Sequence, residues 1–114
     1  MDFEAGQVVT VFRSRLRPDA VDAYGPLAAE LLERARQAPG FVDAAAFTAA
    51  DGERVTVVTF ATEETHRAWR DDAVHRRAQE LGRRALYAEF SIQVSTCTSA
   101  RRWAPEGDPG TGDG

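Results

Sequence analysis

Two histidines, two tryptophans and a set of basic residues made up wholly of arginine are the side chains of this chain best equipped for chemistry. His66 and His75 are the only groups whose ordinary pKa suits a proton acceptor near neutral pH. His75 flanks an apolar stripe of Val74, Ala78 and Leu81. It reads either as a base facing a helix–sheet gap or as a partly exposed surface histidine. His66 sits in a Thr-His-Arg run and reads as solvent-facing. Trp69 could wall a pocket, stack on an aromatic ligand and donate its indole N–H, or it could be plain core. On an unbroken helix Trp69 and His75, six residues apart at ~100° each, would lie about 120° apart. They converge only if the helix breaks near Asp71-Asp72, a candidate second N-cap.

Phe12, Phe47, Phe60, Phe90 and Tyr87 read as sheet core or pocket lining, which periodicity does not separate. Tyr24 falls on the apolar stripe of the first helix, so its hydroxyl needs a partner or an edge position. Arg83 and Arg84 suit the end of a helix by their charge, and either could reach an anionic ligand bidentately. Asp71-Asp72 and Glu63-Glu64 read as helix-start charges rather than a catalytic carboxylate pair. Two histidines nine residues apart, one cysteine and scattered acids form no metal-ligand spacing, so no metal is expected. Cys97 has no neighbour that would activate a thiolate.

The 114 residues contain no lysine and no asparagine, which excludes Schiff-base and P-loop lysine chemistry and an asparagine-led site. A length of this order fits one domain. The net charge of −4 argues against duplex nucleic acid or an anionic membrane as the main partner. A single cysteine allows no internal disulfide. No signal peptide and no apolar run of membrane-spanning length is visible, so a cytoplasmic protein is expected.

The elements that must position these residues alternate in type. Gln7 to Leu16 is rich in β-branched and aromatic residues and predicts a strand. Arg17-Pro18-Asp19 opens a helix whose stripe runs Val21, Tyr24, Leu27 with Ala28, Leu31 and Ala35, with Pro26 as a defect and Pro39-Gly40 as the stop. Phe41 to Ala49 and Arg54 to Ala61 flank Asp51-Gly52, a two-residue hairpin signal. Thr62 with Glu63 and Glu64 caps a second helical region through Trp69 to Ala85, and Glu89 to Cys97 is a last strand. The order β-α-β-β-α-β predicts an α+β, ferredoxin-like fold: a four-stranded antiparallel sheet with helices on one side. Val55, Val57 and Thr59 face one way and Thr56, Val58 and Phe60 the other. The bare sheet face therefore calls for a second sheet, and a homodimer closing into a barrel is the simplest solution. Residues 1–97 form this domain, and 98–114 form a polar, Gly/Pro-rich tail too weakly apolar to fold alone, with Trp103 its one large apolar residue.

The run Val8 to Arg17, the turn Ala38-Pro39-Gly40-Phe41-Val42, Phe60-Ala61, Ala68-Trp69, His75 and Phe90-Ser91-Ile92-Gln93-Val94 together resemble the antibiotic biosynthesis monooxygenase domain, over residues 7–97. The resemblance implies a dimeric α/β barrel and oxidation of an aromatic polyketide- or quinol-like molecule by O₂ without a cofactor. Other members degrade haem. Both types place an asparagine in the pocket; here the anthrone-type position falls near Thr65, and the haem-ligating position falls on Gln79. The matched tryptophan is Trp69. The expectation is a cofactor-free monooxygenase with His75 and Trp69 catalytic, and Phe12, Tyr24, Phe47, Phe60, Thr65 and Arg83 binding the substrate. A non-oxidative polyketide cyclase or isomerase, or a binding protein without turnover, are the competing readings.

Overall fold

A computed structural model describes residues 2–105 of the chain. In order, the elements are β1 (Val8–Leu16), α1 (Val21–Gln37), β2 (Phe41–Thr48), β3 (Arg54–Phe60), α2 (Glu63–Arg70), α3 (Ala73–Leu81) and β4 (Tyr87–Thr96). A 3₁₀ turn, Pro18–Ala20, leads into α1, and a π-helical turn, Gly82–Leu86, leads out of α3. The strands form one antiparallel sheet in the order β2-β3-β1-β4. This is the expected α+β arrangement, with β4 starting two residues earlier than the sequence suggested.

Strand alternation divides the sheet into two unlike faces. Thr10, Phe12, Val58 and Phe60 share the face that meets the helices. Phe60 there is fully buried, and Phe12 and Phe60 make ring contacts with Tyr87 and with Trp69 of α2. At one end Ala20, Tyr24 and Leu86 form a buried cluster against Leu16, Leu27, Ala28 and Tyr87. Gly82 makes this closure possible, because a Cβ there would collide with the Tyr87 ring. The opposite face carries Val9 and Val11 of β1, Val55 and Val57 of β3 and Phe47 of β2, paired across the ladder. Among the described residues no helix covers it, and Phe47 is 59% exposed.

The β2–β3 connection differs from the two-residue turn expected. Gly52 N–H donates to the Ala49 carbonyl at 2.9 Å and Ala49 N–H to the Glu53 carbonyl at 2.8 Å, with Gly52 at φ +92°. The loop is therefore three residues, Ala50-Asp51-Gly52, closed by a glycine in the left-handed region that a side chain would strain. The Asp51 carboxylate also ties the loop down, accepting from the Glu53 N–H and from Arg15.

The second helical region is two helices rather than one. Thr62 opens α2 with a reciprocal cap: its hydroxyl accepts from Thr65 N–H at 3.1 Å while the Thr65 hydroxyl accepts from Thr62 N–H at 3.2 Å. Asp72 then opens α3, one carboxylate oxygen accepting from the N–H groups of Val74 at 3.0 Å and His75 at 3.2 Å. Pro26, by contrast, lies within an α1 that runs on to Gln37. Residues 98–105 have no regular structure, and Trp103 is 75% exposed; the rest of the expected tail, 106–114, lies outside the described residues. No helix among the described residues is long and apolar enough to cross a membrane.

Candidate active site

Between the helices and the sheet lies a cavity of about 280 Å³. Thr10, Phe12 and Val58 form its sheet side, Tyr24 and Leu31 of α1 one wall, and His66, Trp69 and His75 the other. Along β4 the lining is Phe90, Ile92 and Val94, which are 38%, 44% and 52% exposed, so the cavity opens on that edge. Arg83, on the π-helical turn, and Tyr87 complete it.

The break at Asp72 brings Trp69 and His75 together. Their ring centroids are 4.3 Å apart at 49°. The Trp69 indole also stacks on Phe60, at 5.0 Å and 28°, which fixes its plane from behind. Trp69 and His75 thus form a joint wall: apolar area for a planar ring, with an imidazole beside it. Behind this wall is a second cleft of about 290 Å³ on the outer side, shared by Leu31, Trp69 and His75 and edged by Arg34, Gln37, Thr65, Ala68 and Asp72.

His66 departs from expectation. It does not face water: it is buried at 5% exposure, lines the cavity, and pairs its Nε2 with the Thr10 hydroxyl at 3.1 Å. Thr10 reaches it across the helix–sheet interface because β1 turns every second residue toward α2. The signal available in the sequence was spacing, since His66 precedes Trp69 by three residues and so shares its side of the helix.

Burial pushes both imidazoles below their ordinary value of 6.5. For His66 the neighbouring Arg70 adds to the effect; for His75 the Asp72 carboxylate opposes it and His66 reinforces it. At neutral pH both rings are therefore uncharged and able to accept a proton. Asp72 is itself held below the usual carboxylate range, first by the His75 N–H, then by the Val74 N–H and Arg34. Burial, with Tyr24 alongside, pushes the Tyr87 phenol well above its ordinary 10, so it stays a neutral hydroxyl. Arg54 lies 4.8 Å over the Tyr24 ring and fixes that side of the floor.

Of the residues expected to bind a ligand, Phe12, Tyr24 and Arg83 share the cavity with Trp69 and His75. Phe60 lies behind Trp69 as core, with no exposed surface. Thr65 is spent on the α2 cap and edges the outer cleft. Its close approach to the β2 entry requires Gly40, at φ +80°, where a Cβ would collide with the Thr65 side chain. Phe47 is a clear correction: it pairs with Val55 on the opposite sheet face and does not reach the cavity. Strand alternation puts it there, because aromatics on one sheet divide between its two faces by register. Among the described residues no three His, Cys, Asp or Glu side chains converge on a point that could hold a metal.

The fold has counterparts among known proteins. An uncharacterised protein of Bacillus subtilis, YqjZ, is 27% identical over 85 residues, covering 75% of each chain. SnoaB, a cofactor-independent oxygenase from Streptomyces nogalater, superposes with a TM-score of 0.71 at 18% identity, over 90% of this chain and all of SnoaB. A putative antibiotic biosynthesis monooxygenase from Nitrosomonas europaea superposes with a TM-score of 0.71 at 15% identity, over 98% of this chain and all of that one. At such identities these two likenesses concern the fold. The family model for antibiotic biosynthesis monooxygenases matches residues 7–81, from β1 to the end of α3, and the chain belongs to that family.

Proposed function

We propose that this protein is a cofactor-independent monooxygenase that oxidises an aromatic polyketide- or quinol-like molecule with O₂. The observation that carries the reading is the Trp69–His75 pair, at 4.3 Å, set in the wall of an apolar cavity. A planar substrate would stack on Trp69 between Phe12 and Tyr24, and Arg83 would meet its anionic edge at the mouth.

The chemistry needs a substrate electron-rich enough to reduce O₂ itself. Neutral His75 takes a proton from the activated ring methylene, and the carbanion is delocalised over the phenolic ring. The carbanion gives one electron to O₂, and superoxide then couples to the resulting radical, forming a carbon–oxygen bond. The peroxide anion takes back the His75 proton. Loss of water from the hydroperoxide leaves a carbonyl. Overall a CH₂ and O₂ become C=O and H₂O, with all four electrons supplied by substrate. The low-dielectric cavity strengthens the interactions with developing anions.

The open sheet face supports a homodimer. Val9, Val11, Val55, Val57 and Phe47 form an apolar surface that a second copy would cover. Incubation with a panel of anthrones, naphthols and quinols under ¹⁸O₂ tests the function. One labelled oxygen per product molecule is expected. Product formed equally well without O₂ would replace oxygenation by non-oxidative cyclisation, and no product from any of them would remove the reading.

A further inference from the structure

We infer that Asp72 is the positioning residue of this site, setting His75 against Trp69 by restarting the helix between them. This rests on the role proposed for His75, but its test does not need turnover. The geometric problem is specific: six residues of continuous α-helix would put the two rings about 120° apart and roughly 9 Å along the axis. In the structure α2 ends at Arg70, α3 begins at Ala73, and the rings are 4.3 Å apart. What holds the new start is the Asp72 carboxylate, which accepts from the His75 N–H itself at 3.2 Å and from Val74 at 3.0 Å. The cap therefore grips the backbone of the residue it positions.

Other groups around His75 do not do this work. On α2, His66 has its own partner in Thr10, 3.1 Å away. On α1, Arg34 is 3.5 Å from the Asp72 carboxylate, where it steadies the cap from across the outer cleft. Arg83 lines the cavity from the far end of α3. The sheet residues that share the cavity with His75, from Thr10 and Phe12 on β1 to Ile92 and Val94 on β4, are uncharged.

Indole fluorescence reads the pair directly, because a protonated imidazole in contact with an indole quenches its emission. In a Trp103→Phe, His66→Gln background Trp69 is the sole indole and His75 the one imidazole left beside it, since His66 otherwise lies 6.0 Å from the same ring. Its emission is expected to fall as pH is lowered through the His75 transition. Asp72→Ala is expected to lose at least about half of that amplitude, since the first turn of α3 then lacks its acceptor. Asp72→Asn caps a helix as well as Asp does, so it is expected to retain the amplitude. If Asp72→Ala does not fold, Asp72→Gly replaces it, because Gly at a cap costs a helix far less than Ala while still removing the side chain. Full amplitude in the side-chain-less variant, or equal loss in the Asn variant, would overturn the assignment. With a substrate in hand, kcat is expected to fall on the order of 10²-fold in Asp72→Ala with KM little changed. A wild-type protein without turnover would sink the proposed function, whereas the fluorescence result would still decide this inference.

Discussion

The two faces of the sheet come from the same strands and both carry apolar side chains, yet their surroundings differ. On the helix side, Thr10, Phe12 and Val58 face polar and aromatic groups from α1, α2 and α3 across a gap that the helices do not fill. On the other side, Val9, Val11, Val55, Val57 and Phe47 form an apolar surface edged by Arg13, which pairs with Val55 in the ladder and with Glu53 in a 2.7 Å ion pair. The first face has a cavity that opens along Phe90, Ile92 and Val94 of β4, and the π-helical turn carries Arg83 to its lining. The second is uncovered, which suits association rather than chemistry. Apolar content therefore does not locate a site in this fold; titratable groups brought to an incompletely filled interface do.

Substitutions on the two faces should separate these uses. On the helix side, His75→Ala is expected to lower kcat by about 10²–10⁴-fold, the range for loss of a positioned general base. Phe47→Ala, an aromatic removed from the other face, is expected to leave the chemical step near wild type in a single-turnover assay. Equal losses would erase the distinction. Conversely, Val57→Asp would place a charge in the middle of the open face and is expected to shift sedimentation from two chains to one, while His75→Ala leaves it unchanged.

Buried polar contacts give the next largest effect. Thr10→Val leaves the buried His66 Nε2 without its partner and is expected to destabilise the fold by about 1–3 kcal/mol in urea unfolding. The pH dependence is a smaller and directional test. His66 and His75 have folded pKa values below the ordinary 6.5, so the unfolded chain binds more protons in that range. Their contribution to stability is fully present above pH 6.5 and is lost as pH falls through the depressed folded values. A His66→Gln, His75→Gln double variant should flatten the unfolding midpoint between about pH 7 and 5. Activity should decline over the same window as His75 becomes protonated. Smallest of all, Thr62→Ala should cost about 1 kcal/mol through the lost α2 cap.

Much of this architecture was legible in the residues. Strand alternation, the Thr62 cap and the Asp71-Asp72 break follow from local rules, because each depends on side chains only a few positions apart. So did the conditional link between the break and the meeting of Trp69 with His75. The site was less legible where it depends on contacts between elements. His66 read as solvent-facing because its neighbours in sequence are polar, whereas its environment is set by Thr10, 56 residues earlier, and by Phe60. Phe47 read as pocket lining because an aromatic on a strand does not announce its face until register is known. The hairpin loop gained a residue because Asp51-Gly52 fits both a two-residue turn and the end of a three-residue one.

Everything proposed for this protein turns on the helix-side cavity, walled by Trp69 and His75, being the place where an aromatic molecule is held for reaction. The most direct measurement is a crystal structure of the protein with a bound polycyclic quinone of the product class. The quinone ring is expected to stack on Trp69 within about 4 Å, the stacking contact distance, with an oxygen facing His75. A quinone seated only in the outer cleft or on the open sheet face, with the cavity empty, would contradict that placement.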